Sequence, residues 1–130
     1  MEDSPTATAI PPLGHHWLMD FHGCAAAGLN DPAAIEALLR QAAAAAGATV
    51  LSVSSHAFSP HGLTAVALLA ESHLAIHTWP EHRFAAADLF TCGPTCEPRN
   101  ALAVLRYGLG AESVEVSEAA RGRYHLLKGN

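Results

Sequence analysis

The chain is poor in charged residues, cationic ones above all, and it contains no long hydrophobic run. Charged residues make up 15% of its 130 positions and Lys+Arg number only 7, which gives a formal net charge of −5. Because a negatively charged protein repels phosphate backbones, we expect no nucleic-acid partner. No stretch approaches about eighteen unbroken apolar residues, so we expect no transmembrane helix and no membrane partner.

Cysteine is also scarce, and its 3 positions are an odd number that does not suit a disulfide framework. We therefore expect a reducing compartment, the cytoplasm. The first fifteen residues contain Glu2, Asp3 and several prolines, so we expect neither a signal peptide nor an anchor there. Apolar residues, in contrast, make up 50% of the chain. These features predict a single globular domain, residues 15–130, behind a flexible leader over residues 1–14.

The hydrophobic periodicity predicts two helices among several strands. One helix begins at Asp31-Pro32 and the other at Glu97-Pro98, each with proline at its first position. Strands are predicted over residues 16–23, 48–57, 63–70, 72–79, 84–91, 113–116 and 124–127. The strand over 63–70 is apolar enough to predict burial on both faces. The order of elements predicts an α+β two-layer sandwich, an antiparallel sheet with both helices on one face.

A metal site is the first chemistry to consider, because His73 and His77 have a four-residue spacing that suits two ligands on a helix. The segment is predicted as a strand, however, where residues four apart lie about 13 Å from each other. Cys92 and Cys96, even with His82 or His125, form no clean ligand set. We therefore expect no metal.

Ser72 suggests a different chemistry, because it follows Glu71 directly in an otherwise apolar run. A serine hydroxyl can attack the carbonyl of its own preceding peptide bond. Elimination and hydrolysis then leave a pyruvoyl group, which forms a Schiff base with a substrate amine and accepts electrons during decarboxylation. His77 is a candidate base for the elimination, and Cys92 is a candidate proton donor to the product. The residues permit this chemistry without requiring it.

Two segments carry a family resemblance: Glu71-Ser-His-Leu-Ala-Ile-His-Thr-Trp-Pro-Glu81 and Ala87-Asp-Leu-Phe-Thr-Cys-Gly93. Both closely resemble the small prokaryotic S-adenosylmethionine decarboxylase proenzymes, and the likeness runs from about Trp17 to Tyr124. It implies self-cleavage between Glu71 and Ser72, giving a β chain of residues 1–71 and an α chain of residues 72–130.

The resemblance also implies roles for individual residues. Ser72 becomes the pyruvoyl cofactor, His77 acts in processing, and Cys92 donates the catalytic proton. Thr64 stands where the family usually carries a serine that assists processing, and it keeps the hydroxyl. Three further residues match positions expected near the substrate: Phe58, Trp79 and Glu81.

The implied activity is that of a carboxy-lyase, a decarboxylase acting on S-adenosylmethionine to give the aminopropyl donor of spermidine synthesis. The implied assembly is a homodimer of processed αβ units, with facing sheets and sites near the interface. Two alternatives stay open: the same pyruvoyl chemistry on L-ornithine or L-arginine, and a non-enzymatic ligand-binding domain of the same fold.

One geometric difficulty remains in the implied site. Ser72 and His77 are five residues apart, so a regular strand would direct their side chains to opposite faces. Either a β-bulge intervenes, or Ser72 lies in a turn before the strand begins. We favour the turn, because a bent and exposed backbone would also strain the bond that must break.

Overall fold

The computed structural model describes residues 11–92 and 96–122. It contains six strands and two helices, whose bounds follow in chain order. The strands are β1 (Gly14–His22), β2 (Val50–Ala57), β3 (Leu63–Leu69), β4 (His73–Trp79), β5 (Phe84–Thr91) and β6 (Ser113–Arg121). The helices are α1 (Pro32–Ala45) and α2 (Pro98–Leu109), and short 3₁₀ turns occupy Gly28–Asn30 and Pro80–His82.

The strands form one antiparallel sheet in the order β2-β3-β4-β5-β1-β6. Strands β2 to β5 are consecutive hairpins, whereas β1 lies between β5 and β6. Both helices pack on the same side of the sheet, over a core that includes Phe21, Leu39, Ile76 and Leu105. The predicted α+β sandwich is confirmed.

The helix ends follow local sequence signals. The Asp31 carboxylate accepts hydrogen bonds from the backbone N–H groups of Ala33 and Ala34, at 3.1 and 3.3 Å, and so satisfies two donors that the first turn leaves free. Helix α2 ends at Gly110, whose φ of 63° is a left-handed conformation that glycine adopts without strain. Local chemistry therefore determines where α1 begins and where α2 ends.

The side of the sheet away from the helices is left uncovered by the described residues, and we call it the open face. Strand β3 shows this alternation: Leu63, Ala65 and Ala67 are buried, whereas Val66 and Leu68 are 38% and 52% exposed. The prediction that this strand is buried on both faces is wrong for the single chain. Both helices lie on one side, so only alternate residues reach the core.

The C-terminal part of the sheet differs from the prediction in length. Strand β6 extends to Arg121 rather than ending at Val116, because it pairs with all nine residues of β1. The strand predicted over 124–127 lies outside the described residues. Among the described helices, none has the length and apolar character needed to cross a membrane.

Candidate active site

The Glu71–Ser72 bond lies in the turn that joins β3 to β4. The N–H of Leu69 donates to the carbonyl of Ser72 at 2.8 Å, and the N–H of Ala70 donates to the carbonyl of Thr49 at 2.9 Å. The Glu71 carboxylate accepts from the N–H of Thr49 at 3.1 Å. These hydrogen bonds hold Glu71 and Ser72 in a bent backbone conformation. Ser72 therefore precedes the strand, as predicted, and no bulge is needed before His77.

His77 and Thr64 face each other on the open face. They are directly opposed in the β3–β4 pair, and Thr64 Oγ1 lies 2.9 Å from His77 Nδ1. Since β-strand pairing is what places the hydroxyl against the imidazole, a serine at position 64 would serve the same purpose. Thr64 and His77, both expected to act in processing, therefore lie within hydrogen-bond distance of each other.

A cleft of about 400 Å³ lies beside this pair. Its lining includes Phe58, Trp79 and Glu81, the three residues predicted near the substrate, together with His77 and Thr64. The Phe58 ring is 52% exposed and so is available to a ligand. The cleft thus combines exposed aromatic faces with a carboxylate, which suits a flat or cationic group carrying hydroxyls.

One residue of the cleft was not identified from the sequence. His61 Nε2 lies 3.1 Å from Glu81 Oε1, and both residues line the cleft. No sequence signal distinguishes His61 from the other histidines, because the pairing depends on the loop before β3 folding back over the turn after β4.

Cys92 comes directly after β5 and is exposed. The other two cysteines are chemically different. Burial raises the pKa of the Cys24 thiol, whose Sγ donates to the carbonyl of Phe21 at 3.6 Å. Burial also raises the pKa of Cys96, and the nearby Glu71 and Glu97 raise it further. Cys92 is therefore the thiol that a reagent or substrate can reach.

We expect brief treatment with iodoacetamide near pH 8 to alkylate Cys92 at least about tenfold faster than Cys24 or Cys96. Cys92 is exposed and Cys24 is buried, and the raised pKa of the half-buried Cys96 leaves less of its thiol as the reactive thiolate. Peptide mapping by mass spectrometry measures the three rates. Cys92→Ser protein is the control and should take up almost no label in the same interval. Equal labelling of Cys96 would contradict the assignment.

The structure separates the predicted catalytic residues into two groups. His73 pairs with Phe90, so Ser72 and Cys92 lie together at one end of the sheet. His77 pairs with Ala86, nearer the other end, with the cleft beyond it. Five residues of extended strand span about 16 Å, which no hydrogen bond covers. The predicted catalytic residues of one chain therefore form two separate groups, which we call half-sites.

A third cluster on the open face was missed in the sequence. Asp88 Oδ2 lies 2.8 Å from His16 Nε2 and 3.1 Å from His73 Nε2. The three come from adjacent strands, with β5 between β1 and β4. The alternation of apolar and polar residues within each strand indicates which side of the sheet each of the three residues faces. Only the order of the strands in the sheet shows that the three side chains meet.

Comparison with known proteins identifies a family for the chain. A family model described as S-adenosylmethionine decarboxylase matches residues 15–122. The chain is 44% identical over 110 residues to an S-adenosylmethionine decarboxylase proenzyme of Methanococcus maripaludis, covering 85% of this chain and 90% of that one. It is 48% identical over 101 residues to the corresponding proenzyme of Prochlorococcus marinus, covering 78% and 81%.

A solved structure supports the same relationship. The crystal structure of adenosylmethionine decarboxylase from Aquifex aeolicus superposes with a TM-score of 0.82 at 34% identity, covering 93% of this chain and all of that one. Fold and site together define an α+β domain with a serine in a constrained turn. The chain belongs to the S-adenosylmethionine decarboxylase family.

Proposed function

We propose that the protein is an S-adenosylmethionine decarboxylase made as a proenzyme that cleaves itself between Glu71 and Ser72. The observation that carries the proposal is the constrained turn at this bond, in a chain whose relatives are proenzymes. The three free thiols Cys24, Cys92 and Cys96 suit a reducing cytoplasm as its location.

Cleavage follows from the groups at the turn. The Ser72 hydroxyl adds to the Glu71 carbonyl, the C–N bond breaks, and the acyl group passes from nitrogen to oxygen. Loss of the Ser72 α-proton to a base then breaks the ester C–O bond, which releases the main-chain carboxylate of Glu71 as a new C-terminus and leaves a dehydroalanine. Water replaces its nitrogen, which departs as ammonia, and a pyruvoyl group remains at the start of the α chain. Thr64 orients the ring of His77, the base we assign to the proton.

The residues at the turn fit this group, because residue 72 directly precedes β4 and lies at the same end of the sheet as the exposed thiol of Cys92. The pyruvoyl carbonyl would supply the electron sink for loss of CO2. Cys92 would give the product its proton, since it lies at the same end of the sheet as residue 72. In the cleft, Phe58 and Trp79 would contact the adenine or the sulfonium, and Glu81 would accept hydrogen bonds from ribose hydroxyls.

The two half-sites support a homodimer in which the open faces meet. Leu18, Leu68 and Trp79 expose apolar surface there, at 43%, 52% and 39%. Burying such surface against a second copy would remove it from water. In such a dimer the twofold axis would lie between the two sheets, perpendicular to the strands. The strands of one subunit would then run in the opposite direction to those of the other. Ser72 and Cys92 of one subunit would then meet His77, Thr64 and the cleft of the other.

A decarboxylation assay with three substrates tests the function. We expect release of CO2 from S-adenosylmethionine with kcat/KM about 10²-fold or more above that for L-ornithine or L-arginine, because only the first offers an adenine and a sulfonium to the cleft. Trp79→Leu should raise KM for S-adenosylmethionine about tenfold by removing an aromatic face. Leu13→Ala, an exposed apolar change outside the cleft, serves as the control. Turnover of L-arginine alone would overturn the assignment.

A further inference from the structure

The cluster of His16, His73 and Asp88 lies outside the cleft and outside the turn, yet it includes the residue next to Ser72. On the open face, His16 in β1 and His73 in β4 both pair with Phe90 in β5, and both lean towards Asp88 two residues earlier. The Phe90 ring packs on both imidazoles, with centroid distances of 5.5 and 6.0 Å. The cluster is therefore built from three adjacent strands and is partly shielded from solvent.

The hydrogen bonds define which ring nitrogens carry protons. An ionised carboxylate only accepts, so both Nε2 atoms donate to Asp88 Oδ2. Arg121 Nη1 lies 3.4 Å from His16 Nδ1, and since a guanidinium only donates, that nitrogen is the acceptor. A metal ion would need the Nε2 lone pairs and would lie close to the Arg121 cation. The contacts favour an internal hydrogen-bonded unit over a cation site, even though the three ligand atoms lie within 4.8 Å of one another.

We propose that Asp88, braced by His16, is a positioning residue that holds His73 and thereby fixes the reactive group at residue 72 after cleavage. The inference rests on the proposed function. Before cleavage, residue 72 is held at both its N-terminal and its C-terminal side. The turn and the hydrogen bond between Thr49 and Glu71 hold the chain before it, and β4 holds the chain after it. Cleavage frees the Glu71 side. Residue 72 then becomes a chain end, which frays unless it is held.

After cleavage, His73 is the second residue of the α chain. Its backbone pairs with Leu68 and Phe90, and its side chain is tied to Asp88. The carboxylate is itself tied to His16, so it cannot follow a moving His73 without losing a second bond. The cluster thus connects the new chain end to β5 and β1. Misplacement of a reacting group by about 1 Å can lower a rate by about 10²-fold.

Three variants test the role. His73→Gln keeps a donor close to the position of Nε2, whereas His73→Leu removes it. Asp88→Asn keeps the shape and removes the charge that both histidines bind. We expect kcat for S-adenosylmethionine to fall about 10- to 100-fold in His73→Leu and Asp88→Asn, with KM within about threefold. His73→Gln should retain kcat within about threefold. Self-cleavage, measured by intact mass, should go to completion in all three.

Glu118→Gln is the matched control. It breaks another histidine–carboxylate pair, between His15 and Glu118 at 2.8 Å on the other side of the sheet, and should leave kcat unchanged. Wild-type kcat in His73→Leu would overturn the proposal, as would a His73→Gln enzyme as slow as His73→Leu, because the ring itself would then be required. If Asp88→Asn failed to cleave itself, Asp88 would act in processing rather than in positioning the processed chain end, and the proposal would again be overturned.

A metal titration gives the remaining outcome. We expect calorimetry to show no stoichiometric binding of ZnCl2 to the processed wild-type protein. If the wild-type protein instead bound zinc tightly and Asp88→Asn abolished that binding, the positioning role would be overturned. The proposed function fails separately, by the absence of cleavage or of decarboxylation in the wild-type protein. If the wild-type enzyme is active and the Asp88→Asn variant has the same kcat, only the positioning role is contradicted and the proposed function stands.

Discussion

Replacement of Ser72 with alanine is expected to leave one uncut chain, whereas the wild-type protein should separate into fragments of residues 1–71 and 72–130 under denaturing conditions. The reason is chemical: alanine has no hydroxyl to accept the Glu71 acyl group, and no pyruvoyl group can form. Decarboxylation should fall by at least about 10³-fold, because the electron sink is missing. Intact-mass measurement and the CO2 assay report the two effects independently.

The mass of the α chain makes this experiment sharper. Conversion of Ser72 leaves a fragment lighter by one ammonia molecule than a fragment that begins with serine, and borohydride should add hydrogen to it. Ser117→Ala, an exposed serine change in β6, should cleave like the wild type. A wild-type chain that stays intact would refute self-cleavage, and an α fragment that begins with unmodified serine would refute formation of the pyruvoyl group.

Mixed dimers are expected to cleave where the parent variants do not. In one chain Ser72 and His77 are about 16 Å apart along β4, so the base for Ser72 must come from the partner subunit if the open faces meet. Ser72→Ala homodimers lack the hydroxyl, and His77→Ala homodimers lack the base. In the heterodimer, the His77→Ala chain retains Ser72 and faces an intact His77. Its cleavage should therefore be restored.

Co-expression of the two variants tests this directly. With random assembly, about half of the His77→Ala chains would pair with a Ser72→Ala chain and be cut. The Ser72→Ala chains cannot be cut, so intact mass distinguishes the two. Co-expression of His77→Ala chains carrying two different tags should give no cleavage and is the control. Absence of cut chains in verified heterodimers would show that His77 does not act across the interface.

Local elements of the fold followed from the sequence because their causes are local. Asp31 before Pro32 predicted the first helix, and the structure shows the capping bonds at Ala33 and Ala34. The apolar periodicity of residues 98–109 predicted the second helix. The odd separation of Ser72 and His77 predicted a turn at the cleavage site, and the bonds of Leu69 and Ala70 form that turn.

Nonlocal features did not follow, and β1 is the clearest case. Its partners begin at Phe84 and Ser113, more than sixty positions along the chain, and no periodicity specifies that pairing. Burial on both faces was predicted for β3, but the helices cover only one side. That error has a physical reading, since a strand with two apolar faces suits a sheet whose open face meets a partner.

The sequence by itself determined the α+β class, the helix starts, the serine after Glu71 and the family to which the chain belongs. Tertiary structure alone decided that Ser72 and Cys92 lie at one end of the sheet and His77 with its cleft nearer the other. It also decided that His16 and His73 share the carboxylate of Asp88. Sequence records what each residue can do chemically, but which residues meet depends on strand order and register, which the packing of the whole chain selects.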